Sequence, residues 1–525
     1  MKNLQIAVCL SGCVFLTIAS LGCGSGNYTP PLTTIFPTSN PLVAQYSIQH
    51  FHQGLSAWVE FGTDTNYGRQ TSTITDSVST VGGQVLKILV AGMKPQTTYH
   101  MRAHVDWSGG SWVDQDQTFT TGTLSGSQIP TAASTSQVVP GITVTRPTPD
   151  LAPSPGVELL SLTSITGANV MSELVTDLQG NIIWYCPGSA TPTKLLPNGH
   201  FIVNHATDLQ EIDLACAVVR DVSVAQVNLS LQANGSSFTI PPSLGLPGGS
   251  PFHHDMLVLP NGHWIALCQI AKTFTDLSGY PGTTEVAGDA LVDIDPTGNV
   301  VWSWSSFDHL DVNRHPYFGL PDWTHSNALA YTPDGNLLLS MRAQSWILKI
   351  DYANGTGSGN VLWKLGEDGD FTLLGGDPTQ WFYAQHNPSL ISTNGPQMTL
   401  AVYDDGNYRT DSEGVACGTS SSAPPCYTRA TIFQIDESTN MASLLWQYLP
   451  GFYSFWGGSI GELSNGDVEF DSSEPFYPAT PIASQIIEVD QTTNPQMVWQ
   501  MTITGANAYR GYRIPSLYPG VTWQQ

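Results

Sequence analysis

The sequence predicts an all-β chain: a six-bladed β-propeller preceded by a small β-sandwich. Three observations lead there. Gly (50) and Pro (36) are abundant and punctuate short apolar runs, as turn-connected strands require. Two kinds of hairpin piece alternate over residues 156–525. No segment sustains a long helical apolar period. The 525 residues are too many for one ordinary domain.

At the N-terminus, Lys2 precedes an apolar run from Leu4 to Leu21, and small residues lead to Cys23. The pattern predicts an export signal over 1–22. Cys23 is then the lipidated first residue of a periplasmic, membrane-anchored lipoprotein. Simple secretion and a retained anchor are the alternatives, the run being barely long enough to span a bilayer. Residues 23–45 are rich in Gly, Ser, Thr and Pro and read as a linker.

Residues 46–122 predict the sandwich. "SAWVEFGTDTNYG" alternates like a strand and ends in a turn, and "QTFTT" closes the segment at Thr121. Between them, "LKILVAGMKPQTTYHMRAHVDW" makes a Pro-led turn into Tyr99. That run resembles the tyrosine corner of fibronectin type III-like sandwiches. Residues 123–155 are again rich in Pro, Ser and Thr and read as a connector.

From 156 onward one piece is Asp, a turn, then a strand with Trp: "DLQGNIIWY", "DIDPTGNVVWSW", "KIDYANGTGSGNVLWKL", "QIDESTNMASLLWQY", "EVDQTTNPQMVWQM". "EIDLACAVVRDV" is a degenerate sixth copy. The other piece is a turn feeding an apolar strand: "LPNGHFIV", "LPNGHWIAL", "TPDGNLLLS", "STNGPQMTLAV", "LSNGDVEF". One of each makes a four-stranded unit that cannot bury both faces alone, and radial stacking of about six makes a propeller. The repeated Trp residues read as packing between units.

Aligned on Leu and the turn Gly, "HHDMLVLPNG", "HSNALAYTPDG" and "HNPSLISTNG" place His253, His325 and His386 four residues before the Leu. Equivalent positions in a propeller share radius and height, so three consecutive blades aim a histidine at one place. The channel mouth gathers His253, His254, His325, His386, Asn327 and Arg342. Packing alone would favour apolar residues, because buried polar groups need partners. His52, His100, His200, His309 and His315 read as capped, partly exposed residues.

The chain carries 17 basic against 42 acidic residues, a net charge of −25, which argues against nucleic acid as a partner. In the predicted pocket only Asp255 is acidic, so no metal and no cofactor are expected. An Arg beside imidazoles suits a tetrahedral oxyanion, and an imidazole can be a nucleophile at sulfur or phosphorus. The chemistry suggested is sulfuryl or phosphoryl transfer. A non-catalytic binding propeller is the main alternative; a quinoprotein-like or metal-dependent hydrolase is a weaker one.

"DWTHSNALAYTPDGNLLLSMRAQSWILKIDYANGTGSGNVLWKLG" resembles the bacterial aryl-sulfate sulfotransferase family. "FYAQHNPSL", "FHHDMLVLPNGH" and the terminal "AYRGYRIPSLYP" are similar to it in the same order. The resemblance implies a ping-pong transfer of a sulfuryl group from a phenolic sulfate ester to an acceptor phenol, without a nucleotide donor. It implies His386 as the nucleophile, forming sulfohistidine. His253 would be the general acid or base, with His254 as the alternative; the repeat alignment favours His253. His325, Asn327 and Arg342 would hold the sulfuryl oxygens, and Tyr509 would face the pocket. In "QHN", Asn387 and Pro388 stand where the family commonly has an acid, which leaves open what orients His386. Gly457 or Gly458 is expected to open space for the aryl group. A homodimer is left open.

Five cysteines follow Cys23. Cys417 and Cys426 bracket "GTSSSAPP" and read as a disulfide staple. Cys186 and Cys216 could pair, leaving Cys268 as a buried thiol.

Overall fold

The structure, a computed structural model, describes residues 30–51, 54–76, 84–124, 137–164, 170–186, 194–244, 249–315, 317–418, 423–476 and 483–524. The export signal and Cys23 lie outside the described residues.

The chain is all-β, with one α-helix of any length among the described residues, Val224–Ala233. Two sheets form the N-terminal part. One orders the strands Leu32–Pro37, Ala44–His50 and Gln84–Val90; the other is centred on Leu55–Gly62 and Thr98–Trp107. Alternation drives both: Ala57, Val59 and Phe61 face Met101, Ala103 and Val105 in one core. The Tyr99 hydroxyl accepts the Lys94 N–H at 3.0 Å, closing the Pro-led turn. Residues 32–37 fall within the segment expected as linker, yet they pair with 44–49 in full register. The Pro residues that suggested a linker bound the strand and its turn, while Thr and Ile between them extend.

Among the described residues, six further sheets of four or five strands follow, antiparallel except for one short parallel edge. Their first strands include Phe252–Val258, Ser326–Tyr331, His386–Asn394 and Ile460–Glu462, and each packs on the next. The C-terminal strand Asn507–Ile514 returns to pair with Val157–Thr163, so the chain's end completes the sheet begun near residue 157. Gly141–Thr145, inside the expected connector, adds an edge strand beside Met497–Thr504.

Four of the repeated tryptophans tie a sheet to its neighbour, while the buried indole nitrogen of Trp446 has no hydrogen-bond partner among the described residues. Trp184 donates its indole N–H to the Leu214 carbonyl, Trp304 to Gly359, Trp363 to Glu437 and Trp499 to Leu178. A buried aromatic ring removes about 150–250 Å² from water, which at about 25 cal/mol per Å² is worth roughly 4–6 kcal/mol. One hydrogen bond nets only about 1 kcal/mol. Packing therefore holds the sheets together, and the indole bond sets the angle of each ring. At the C-terminus, Tyr518 and Trp523 bond back to Leu89, Ala91 and Gln70, joining the N-terminal sheets to the rest.

Candidate active site

Where the first strands begin, their ladders are interrupted, and polar side chains turn inward there. Register shifts occur between Phe252 and Met256, Ser326 and Ala328, and His386 and Ser389. Left-handed backbone marks each interruption: His254 (φ 54°), His325 (φ 45°) and Asn387 (φ 42°). Non-glycine residues held there cost about 1–3 kcal/mol each and concentrate at functional sites.

His386 is buried and its Nδ1 lies 2.6 Å from Asp405 Oδ2. Its Nε2 accepts the Gly457 N–H at 3.3 Å. Since Nε2 accepts, Nδ1 carries the proton and donates to Asp405, leaving a lone pair on Nε2. Burial, then the charges of Arg342 and Arg510, hold the imidazole well below its ordinary pKa. Burial pushes the Asp405 carboxyl well up, against the pull of Arg342. The neighbouring Asp404 has a different task. It accepts from Arg409, Arg429 and the Tyr383 N–H, pinning the loop ahead of His386.

The second imidazole pair is perpendicular: His253 and His254 meet Nδ1 to Nδ1 at 2.7 Å, with their rings at 90°. His253 is buried, its Nε2 3.3 Å from Asp289 Oδ1. His254 is the more exposed of the two and faces His325 and Tyr509, ring centroids 4.9 and 5.9 Å away. His325 in turn holds Asp322 Oδ2 at 2.5 Å through Nδ1.

Two guanidiniums converge on these rings. Arg342, in a single 3-10 turn over Arg342–Gln344, is buried beneath Phe318 and Phe455 and donates to the Phe455 carbonyl at 3.0 Å. Its buried Nε has no hydrogen-bond partner among the described residues. Arg510 donates to the carbonyls of Gly458 and Asn327, the latter at 2.7 Å. Tyr509 lies under Arg510 and 6.3 Å from His386, and Trp456 stacks on it with ring centroids 6.4 Å apart. Burial pushes its hydroxyl up to about 12, so it keeps its proton. Among the described residues, no three His, Cys, Asp or Glu side chains are grouped to hold a metal ion.

The family model described as arylsulfotransferase (ASST) matches residues 150–513, which contain every one of these side chains. The chain belongs to the arylsulfotransferase family. No curated protein matches it. Among solved structures, a Bacteroides caccae protein of unknown function is similar at 11% identity and TM-score 0.36, covering 69% of this arylsulfotransferase-family chain and 100% of that one. A Staphylococcus aureus virginiamycin B lyase is similar at 8% identity and TM-score 0.27, over 69% of this chain and 99% of that one. A Synechocystis apocarotenoid oxygenase is similar at 8% identity and TM-score 0.27, covering 90% and 81%. Likenesses this weak carry no argument about the arylsulfotransferase-family chain.

Against the sequence-based expectations, the structure brings His253, His254, His325, His386, Arg342 and Tyr509 together. Three placements differ. His254, rather than His253, faces the other rings, because left-handed backbone at His254 swings its side chain toward them. Asn327 gives its Nδ2–H to the Gln385 carbonyl at 2.7 Å, so it anchors the residue before His386 instead of offering that donor to a ligand. Gly457 and Gly458 open no space: a Cβ at Gly457 would lie 1.9 Å from Ser473 Oγ, and one at Gly458 2.4 Å from Tyr403. Glycine at 457 instead lets the backbone N–H reach His386.

Asp405, Asp289, Asp322 and Arg510 join the site beyond the residues that the sequence points to. Asp405 had a readable signal: a hairpin whose first strand opens on His386 must bring the end of its second strand, "AVYDD", alongside. Cys417 and Cys426 are bonded at 2.01 Å, Cys186 faces Cys216 with Cα atoms 5.9 Å apart, and Cys268 is a buried thiol.

Proposed function

We propose that this chain is an aryl-sulfate sulfotransferase that works by a ping-pong reaction through sulfohistidine at His386. The observation that carries the reading is the unprotonated Nε2 of a neutral, carboxylate-held His386, a ring on which the charges of two buried guanidiniums act. A neutral imidazole is nucleophilic, and the Asp405 contact keeps its lone pair on Nε2. In the first half-reaction Nε2 bonds to sulfur and the sulfur–oxygen bond to the aryl group breaks, its electron pair leaving on the phenolic oxygen. In the second, the acceptor phenol's oxygen bonds to sulfur, its proton leaves, and the electron pair of the N–S bond returns to Nε2.

Arg342 and His325 would face the sulfuryl oxygens. A buried unpaired donor costs about 1–3 kcal/mol, more when charged, and an oxyanion at Arg342 Nε removes that cost. Phe318, Phe455 and Trp456 at the edge of the site suit the aryl ring. The His253–His254 pair serves the proton on the phenol oxygens.

The same reading takes the six sheets as blades of one propeller over 156–525, supported by the indole ties and the returning C-terminal strand. It takes the sheets over 46–122 as a fibronectin type III-like sandwich, and the chain as an exported lipoprotein anchored through Cys23.

The test is incubation with 4-nitrophenyl sulfate, digestion and mass analysis. A peptide containing His386 should gain one SO3, and His386→Ala should lose both that label and turnover. Nitrophenol release should rise with added phenol and survive chelator. No release by the wild type with any of several acceptor phenols would favour a non-catalytic binding role; release that requires a divalent ion would favour a hydrolase.

A further inference from the structure

Asp289 lies in the third strand of its sheet, Tyr280–Ile294, away from the first strand's histidines in sequence, and it is buried. It accepts from the Thr324 hydroxyl at 2.7 Å and the Ser326 N–H at 2.6 Å through Oδ2, and its Oδ1 is 3.3 Å from His253 Nε2. We propose that Asp289 and His253 form a relay that positions His254 as the general base for the acceptor phenol. The proposal rests on the sulfotransferase reading above and adds two positioning residues to it.

The reasoning is one of donor and acceptor counting. His253 Nε2 makes no well-aligned hydrogen bond, but it lies 3.3 Å from a carboxylate, which can only accept, so Nε2 is the ring nitrogen that carries the proton. A neutral imidazole has one N–H, so His253 Nδ1 is then an acceptor. The 2.7 Å contact between the two Nδ1 atoms therefore needs the proton on His254 Nδ1. That leaves the lone pair of His254 on Nε2. His254 thus reaches through His253 the same tautomer that His386 gets directly from Asp405.

Burial pushes the Asp289 carboxyl up, but the side-chain contact with His253 and the bonds from Ser326 hold it below its ordinary value. Burial, then His253, His325, His386 and Arg510, hold His254 well below its ordinary pKa, so it enters the step neutral. Tyr509 is the remaining titratable ring against it, and the Cys268 thiol lies near Asp289. In the acceptor step the phenol proton moves to His254 Nε2 as the phenol oxygen bonds to sulfur and the N–S pair returns to His386. The imidazolium formed at His254 keeps its Nδ1–H on His253, whose own N–H faces Asp289.

Asp289→Asn reverses the relay, because an amide N–H toward His253 Nε2 moves every proton along it and puts a hydrogen on His254 Nε2. With 4-nitrophenyl sulfate, whose leaving group needs no acid, the nitrophenol burst should survive in Asp289→Asn. The acceptor step should slow by about 10²–10⁴-fold, and acidic phenols, already ionised, should recover most of it. A merely structural role would lower burst and acceptor step together, and either that result or an unchanged acceptor step overturns the relay. A wild type without a burst would instead sink the sulfotransferase reading. Imidazole ¹⁵N spectra of the wild-type chain test the relay without activity or folding of a variant: His254 must carry its proton on Nδ1 and His253 on Nε2. The opposite tautomers overturn it.

Discussion

Asp405 and His386, nineteen positions apart, meet at 2.6 Å inside the protein because a hairpin brings the start of one strand beside the end of the next. The contact puts the ring proton on Nδ1 and the lone pair on Nε2, and the charges of Arg342 and Arg510 act on the same ring. Replacing Asp405 by Asn keeps the shape and offers an N–H where an acceptor stood. Turnover of 4-nitrophenyl sulfate should fall by about a hundred- to ten-thousandfold, with the burst slowed as much as the steady state. An unchanged burst rate would remove Asp405 from the reaction.

Gly457 brings its N–H to His386 at φ 71°, with no room for a Cβ. Gly457→Ala should lower stability by about 1–3 kcal/mol through the left-handed strain and the Ser473 clash. It should also slow sulfuryl transfer by moving the loop away from Nε2. Calorimetry and the burst rate check the two effects separately; full activity would show that the loop does not need its present position.

His386 and His254 are both held well below the ordinary histidine pKa of about 6.5. A group with a depressed pKa stays neutral until the pH falls through that lower value. The acid limb of kcat/KM should therefore lie well below pH 6.5, with no inflection at the ordinary value. A midpoint near 6.5 would mean that the nucleophile and base are not these two rings.

Asp471 is buried beside Ser459 and Gly511, and burial raises its carboxyl from 3.8 to about 7. The folded chain thus binds this proton more tightly than the unfolded chain does. Its contribution is fully present below pH 3.8 and is lost as pH rises through 7. Asp471→Asn, which cannot ionise, should flatten the fall in thermal midpoint between pH 4 and 8 by the equivalent of a few kcal/mol at most. Parallel pH curves for the two proteins would refute this.

Arg510→Met removes a charge and the bonds to Gly458 and Asn327. Weaker donor binding and slower transfer are expected together, at least tenfold in kcat/KM, with the fold retained by far-UV dichroism. Loss of stability without loss of transfer would make Arg510 a bracing residue only.

Hairpin alternation, turn residues and the repeated Trp were legible in the chain, because each depends on neighbours within about a dozen positions. The same repetition pointed to three strand starts, but the bulge between Phe252 and Met256 puts His254, not His253, against His325. Asn327 shows the limit: its residue type suggested a ligand donor, and its actual partner is a carbonyl one sheet away.

By itself, then, the sequence determined an all-β chain of repeated hairpins, membership signals in "HSNALAYTPDG" and "AQHNPSL", and a set of histidines and an arginine at strand starts. Tertiary structure alone decided which carboxylate holds which imidazole, that His254 and not His253 faces His325 and Tyr509, and that Arg510 joins Arg342. The reason is physical. Strand pattern is local, but a bulge at a strand start turns side chains through large angles, and the bulges are set by contacts between sheets. The carboxylates that fix each proton come from second strands, third strands and preceding loops, so only the packed molecule assigns them.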